Sequence, residues 1–166
     1  MRNLDIIKSK IHTPESLKGP LARWRFFEKS VVFTNGCFDI LHLGHIDYLS
    51  KAADEGEILI IGLNTDESVR KIKGNNRPVV EEGPRSMVLA SLRFVDAVVL
   101  FNEDTPYELI KFIQPDVLIK GSDYTIDEIV GSDIVMNKGG EVKTIDFVPG
   151  YSSTDIITKI ENLGKE

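Results

Sequence analysis

Apolar and polar positions change rhythm in blocks along this chain. Short apolar runs rich in β-branched residues, at 30–35 (SVVFTN), 57–64 (EILIIGLN), 96–101 (DAVVLF), 116–121 (DVLIKG) and 140–148 (GEVKTIDFV), read as strands. Between them the spacing becomes helical. HIDYLSKAADEG (45–56) puts Ile46, Leu49, Ala52 and Ala53 on one face and stops at Gly56, and TDESVRKI (65–72) is a short helix capped by Thr65 or Asp66. Pro84 suits a first helical position ahead of Met87, Val88, Leu89, Leu92 and Val95, and further helices are predicted at 106–113, 125–138 and 153–162. KGNNRPVVEEGP (73–84) is polar and turn-rich, so it is expected to be a surface loop. PLARWRFFEK reads as a helix that packs Trp24 and Phe27 on the sheet or on a partner subunit.

Strands that are apolar on both faces, alternating with helices, predict a parallel sheet covered on each side. The expected fold is α/β, a doubly wound five-stranded parallel sheet of Rossmann-like type. The chain divides into an N-terminal helical segment, 1–29, and a single domain, 30–166. In such sheets ligands lie beyond the carboxyl ends of the strands, where the order of connection reverses. The loop leaving the first strand, NGCFDILHLGH (35–45), falls there.

Composition narrows the function by exclusion. The 42% apolar and 28% charged content is that of an ordinary globular protein, and a net charge of −6 with scattered basic residues argues against nucleic acid as a partner. The single cysteine, Cys37, allows no intrachain disulfide and fits a reducing compartment. MRNLDIIKSKIHTPESLKGP has no apolar core of signal-peptide length, and no stretch approaches the ~18 uninterrupted apolar residues of a membrane span. A cytoplasmic location without a membrane partner is expected.

Two of the three histidines, His42 and His45, sit three apart in this loop around Gly44. Neither G-x-x-x-x-G-K-[ST] nor a G-x-G-x-x-G after the first strand is present, which disfavours the Walker and dinucleotide readings. What remains is a glycine turn, Asp39, and H-x-G-H running into a helix N-terminus, where free amides and the helix dipole favour an anion. If the first helical turn begins near His42, both imidazoles project to one side, and both could donate to the oxygens of one phosphate. Cys37 with the two histidines lacks a fourth zinc ligand, and a lone thiol has no resolving partner for redox work.

GCFDILHLGH resembles the G-x-F-D-x-x-H-x-G-H signature of the nucleotidyltransferase superfamily, which includes glycerol-3-phosphate cytidylyltransferase and adenylyltransferases of coenzyme and sugar metabolism. FTNGCFDILHLGHIDYL, GLNTDESVRKIKGNNRPV, RSMVLASLRFVDAVVLFNEDTP, PDVLIKGSDY, NKGGEV and YSSTDIITKI are more narrowly similar, in order, to the adenylyltransferases of ADP-heptose synthesis, found alone or fused behind a sugar kinase. The resemblance implies transfer of AMP from ATP to D-glycero-β-D-manno-heptose 1-phosphate, for lipopolysaccharide core.

The same resemblance implies the roles of particular residues. His42 and His45 would contact the phosphates, with Lys73 as a further catalytic cation. Thr34, Asn35, Gly36, Cys37, Phe38, Asp39 and Asn64 would line the nucleotide, and Arg77 and Arg85 lie where the family keeps basic residues. For Lys73 and Arg77 a solvated surface role is the competing reading, and Arg85 could instead pair with Glu81 or Glu82 at the surface. Lys120, Gly121, Asp123 and Tyr124 (KGSDY, against the commoner K-G-G-D-Y) form the loop after the fourth strand. Asp123 would bind hydroxyls or cap the next helix; Ser152, Ser153 and Thr154 would cap the last helix or meet the same phosphates.

Phe147 stands where the glycerol-phosphate cytidylyltransferases carry an arginine, which favours ATP over CTP. Triphosphate transfer implies a divalent cation, most simply Mg²⁺, with Asp39 a candidate ligand beside phosphates and water. Relatives of this kind are often homodimers, and the sequence leaves the oligomeric state open. Two rival readings stay open as well: a cytidylyltransferase acting on glycerol 3-phosphate or another phosphorylated alcohol, and a non-catalytic nucleotide-binding module.

Overall fold

A computed structural model describes residues 2–163. Its strands are β1 (Ile11–His12), β2 (Val31–Gly36), β3 (Ile58–Asn64), β4 (Ala97–Phe101), β5 (Val117–Gly121) and β6 (Glu141–Ile145). The helices are α1 (Asn3–Lys8), α2 (Pro14–Phe26), α3 (Leu43–Ala53), α4 (Asp66–Lys73), α5 (Glu82–Ser91), α6 (Tyr107–Ile113), α7 (Ser132–Asn137) and α8 (Ser153–Leu163). All strand pairs are parallel, in the order β1-β4-β3-β2-β5-β6. The sheet therefore has six strands rather than the expected five. The extra one, β1, is two residues long and pairs Ile11 with Val98 and His12 with Val99 at the edge, too short to leave a periodic signal.

Alternation along β2 explains why the sheet is covered on both sides. Val31 and Phe33 join Ile58, Ile60, Val99 and Leu118 on one face, under Leu17 and Leu21 of α2 and Leu109, Ile110 and Ile113 of α6. Val32 joins Leu59, Ile61, Val98 and Ile119 on the other, under Tyr48, Leu49 and Ala52 of α3 and Leu89 and Ala90 of α5. Successive side chains of a strand point to opposite faces, so a sheet buried twice needs unbroken apolar runs. Because α2 supplies Leu17 and Leu21 to this core, residues before 30 share it with the rest of the chain. Trp24 packs there too, whereas Phe27 does not: it is 59% exposed beside Phe26, in an edge-on aromatic pair.

Three other expectations need correction. The helix predicted over 125–138 is a 3₁₀ turn, Ile126–Glu128, then a break at Gly131 with φ +85°, then α7. The helix placed from Pro84 starts earlier, at Glu82. The last strand stops at Ile145, and 146–152 crosses back as a loop toward α8.

The order of connection reverses between β2 and its neighbours, β3 on one side and β5 on the other. In parallel sheets of this kind the loops leaving the strands on either side of such a reversal part, and the place for a ligand lies in the crevice at their carboxyl ends.

Candidate active site

The β2–α3 loop forms one wall of this crevice. Phe38 adopts φ +44°, a left-handed conformation that costs a non-glycine residue about 1–3 kcal/mol and persists only where neighbours hold it. The hold comes from Arg85. Its side chain, with 0% exposure, donates from Nη1 to the Cys37 carbonyl at 2.5 Å and from Nη2 to Asp66 Oδ1 at 2.6 Å. Arg85 therefore does not pair with Glu81 or Glu82 at the surface. It lies beneath the loop, tying it to the first turn of α4.

The helix expected from His45 starts at Leu43, and His42 is its N-cap residue, with no side-chain cap bond. The His45 amide donates to the His42 carbonyl at 3.0 Å, closing the first turn. That turn stacks the two imidazoles, with ring centroids 3.8 Å apart and planes 19° from parallel, while Phe38 meets His45 edge-on at 5.2 Å. Gly44 makes room for this, since a β-carbon there would stand 3.2 Å from the His42 ring and from Tyr151 Cβ. Burial lowers the pKa of both rings. His45, facing His42 as well, is brought down to about 4, with the Ile40 carbonyl pulling weakly the other way. Both rings are neutral at pH 7, so each offers one N–H donor and one acceptor.

Three buried polar atoms between the end of β2 and the first turn of α3 find no partner among the described residues: Asn35 Oδ1, His42 Nδ1 and His45 Nδ1. An unpaired buried polar group costs about 1–3 kcal/mol, and three of them within eleven residues at one β–α connection mark a place for a ligand.

Positive charge gathers around the same loop. Lys73, Arg85 and Arg77 all lie close enough to the Cys37 thiol to favour its ionisation, though burial outweighs them and pushes the thiol pKa up. Lys73 ends α4 and is exposed. Lys120, at the end of β5, reaches over the Tyr124 ring at 5.6 Å; burial lowers its pKa against the pull of Asp123 and Cys37. Asp123 and Tyr124 are exposed beyond it.

Gly121 closes the β5 side. A β-carbon there would overlap the half-exposed Phe147 ring, which in turn lies 5.6 Å from the Tyr48 ring. Ser153 Oγ donates to the Ile40 carbonyl at 3.3 Å, bringing the start of α8 against the His loop; Ser152 Oγ accepts from the Asp155 amide as a cap, and Thr154 is exposed.

Some residues named from sequence are otherwise engaged. Thr34 is fully buried and shares a 2.8 Å hydrogen bond with Tyr48 Oη, and Asn64 donates to Ser68 Oγ at 2.9 Å. Asp39 has both oxygens occupied by Val79, Val80 and Arg77, which leaves it poorly placed to bind a metal. No three His, Cys, Asp or Glu side chains converge to hold an ion among the described residues. Sequence reasoning missed Tyr48 and Asp66, the partners that hold Thr34 and Arg85. Their pairings span 14 and 19 residues, and no local spacing signals them.

The cytidylyltransferase-like family model matches residues 33–159, from β2 through most of α8. The chain belongs to that family. Bifunctional protein HldE from Syntrophotalea carbinolica is 51% identical over 152 residues, which is 92% of this chain and 31% of that protein. The protein of the same name from Campylobacter fetus is 56% identical over 133 residues, 80% of this chain and 28% of the relative. The chain thus spans about a third of the length of these curated relatives. The crystal structure of the lipopolysaccharide core biosynthesis protein from Thermoplasma volcanium is similar in fold, with a TM-score of 0.60 at 28% identity over 72% of this chain and 97% of that one. Within the family match lie the paired histidines, Arg85, Lys120 and Phe147. No helix among the described residues is long and apolar enough to cross a membrane.

Proposed function

We propose that this chain is an adenylyltransferase that moves AMP from ATP to D-glycero-β-D-manno-heptose 1-phosphate, giving ADP-heptose and pyrophosphate for lipopolysaccharide core. The observation that carries the reading is the stacked, neutral histidine pair with unpartnered nitrogens at the N-terminus of α3. The likeness to the HldE proteins and to the lipopolysaccharide core biosynthesis protein supports a sugar-phosphate acceptor.

In this reaction an oxygen of the sugar phosphate bonds to the α-phosphorus of ATP as the bond to the β-phosphate oxygen breaks. A phosphate monoester with a second pKa near ~6 is mostly a dianion at neutral pH, so the nucleophile needs no base. That agrees with a site whose histidines are neutral and whose Cys37 stays a thiol. Catalysis is then positioning and charge stabilisation. His42 and His45 donate to the α-phosphate oxygens, the free amides of the α3 N-terminus face the same anion, Lys73 and Lys120 offset the developing charge of the pyrophosphate, and Arg77 helps hold the triphosphate in ground and transition state alike.

A divalent cation such as Mg²⁺ would neutralise the triphosphate, held by phosphates and water, since no cluster of three His, Cys, Asp or Glu converges among the described residues. Use of ATP fits a cytoplasmic location.

Pyrophosphate release with Mg²⁺, ATP and the heptose 1-phosphate tests the proposal, with CTP and glycerol 3-phosphate as the parallel pair. Turnover of ATP with the heptose alone is the expected result. Turnover only of the parallel pair would overturn the substrate, and silence everywhere would overturn the enzyme.

A further inference from the structure

Asp39 is among the most deeply buried charges of the chain, with 1% of its side chain exposed, yet everything it holds belongs to a surface loop some forty residues away. Its Oδ1 accepts from the amides of Val79 and Val80, both at 2.8 Å. Its Oδ2 accepts from Arg77 Nε at 2.6 Å and again from the Val79 amide at 3.0 Å. Burial alone would raise the carboxyl pKa; the two amides and the guanidinium outweigh it, and the group is held ionised.

Pinning a loop needs only neutral acceptors, and burying a charge for that purpose is costly. What a carboxylate adds is the orientation of an arginine. Asp39 takes the Nε–H of Arg77 and leaves the two terminal nitrogens without an acceptor among the described residues, although only 16% of that side chain is exposed. A guanidinium gripped at Nε keeps its planar fork free for a phosphate. The fork lies beside the β2–α3 loop, close enough for its charge to be felt at the Cys37 thiol.

We infer that Asp39 is a positioning residue, which latches the 74–81 loop to the His-bearing loop and presents the terminal nitrogens of Arg77 to the pyrophosphate end of the nucleotide. The inference rests on the adenylyl-transfer reading. Asp39 itself touches neither substrate nor metal.

The test compares Asp39→Asn and Arg77→Lys in the full chain by three readouts: amide hydrogen exchange of the free protein, calorimetric binding of ATP, and steady-state kinetics. Asn keeps one carbonyl oxygen, but its –NH2 sets donor against donor where Oδ2 accepts from Arg77 Nε and the Val79 amide, so the latch loosens; Lys keeps the charge but not the fork. In Asp39→Asn, exchange at Val79 and Val80 should speed up by about tenfold or more, while Arg77→Lys leaves it protected. Both variants should raise KM and Kd for ATP by about tenfold with kcat within about threefold, the pattern of a contact shared by ground and transition states. The double variant should lose little more than either single one.

Faster exchange with unchanged ATP affinity would reduce Asp39 to a structural tie and overturn the positioning role. Unchanged exchange would overturn the latch itself. Wild-type protein that binds ATP but transfers no adenylyl group would sink the activity while the ATP arm still decides the latch, and wild type that binds no ATP would sink both.

Discussion

Acidification isolates the energetic cost of the histidine stack. The folded protein holds His45 at about 4 against an ordinary 6.5, chiefly through burial and secondly through His42. Because the folded pKa is depressed, the unfolded chain binds the proton first. Stability from this group is complete above pH 6.5 and drains away as pH falls toward 4. Linkage sets the loss at about 2 kcal/mol by pH 5 and about 3 kcal/mol once pH is below 4. Urea unfolding at pH 7.5 and pH 5, on wild type and His45→Gln, separates this contribution from that of the carboxylates, which titrate in both proteins. The wild type should lose about 2 kcal/mol more than the variant between the two pH values. Equal losses would show that His45 is not held neutral by the fold, and the picture of two neutral donors at the phosphate site would fail with it.

Three further outcomes follow from the site. His42→Ala and His45→Ala should each keep the fold, checked by circular dichroism, and lose about a hundredfold or more in turnover, since one oriented donor is worth about 2.7–4 kcal/mol of transition-state stabilisation; near-normal pyrophosphate release in both would remove them from catalysis. Arg85→Ala strands Asp66 and releases the Cys37 carbonyl, so denaturation should show a loss of about 3–5 kcal/mol, or roughly 6–20 °C in melting temperature, and a value under about 1 kcal/mol would refute the brace. Gly121→Ala should cost under about 1 kcal/mol because the half-exposed Phe147 ring can swing outward, while KM rises as that ring and the Asp123 carboxylate shift; unchanged KM would show that Phe147 does not shape the pocket.

Much of this molecule is legible in its sequence. Five apolar runs bounded by turn residues announced the five main strands, because a strand buried on both faces must be apolar at nearly every position. His42 and His45 were legible as a pair because three residues are nearly one helical turn. What escaped was short or non-local. β1 is two residues of edge pairing, and the 125–138 segment has helical composition broken by Gly131, whose φ of +85° no periodicity reveals.

The sequence by itself determined the class of fold, the crevice at the end of the first long strand, and the polar groups delivered there. All of these depend on contacts within one element and its connecting loop. Only the tertiary structure decided which charges face a ligand and which face one another. Arg85, Arg77 and Lys73 look alike as basic residues after β3. Packing buries the first against Asp66 and Cys37, clamps the second at one nitrogen by Asp39, and leaves the third exposed. The fate of a charge is set by the desolvation it suffers and the partner it meets. Both are properties of distant chain segments brought together, which a linear sequence does not display.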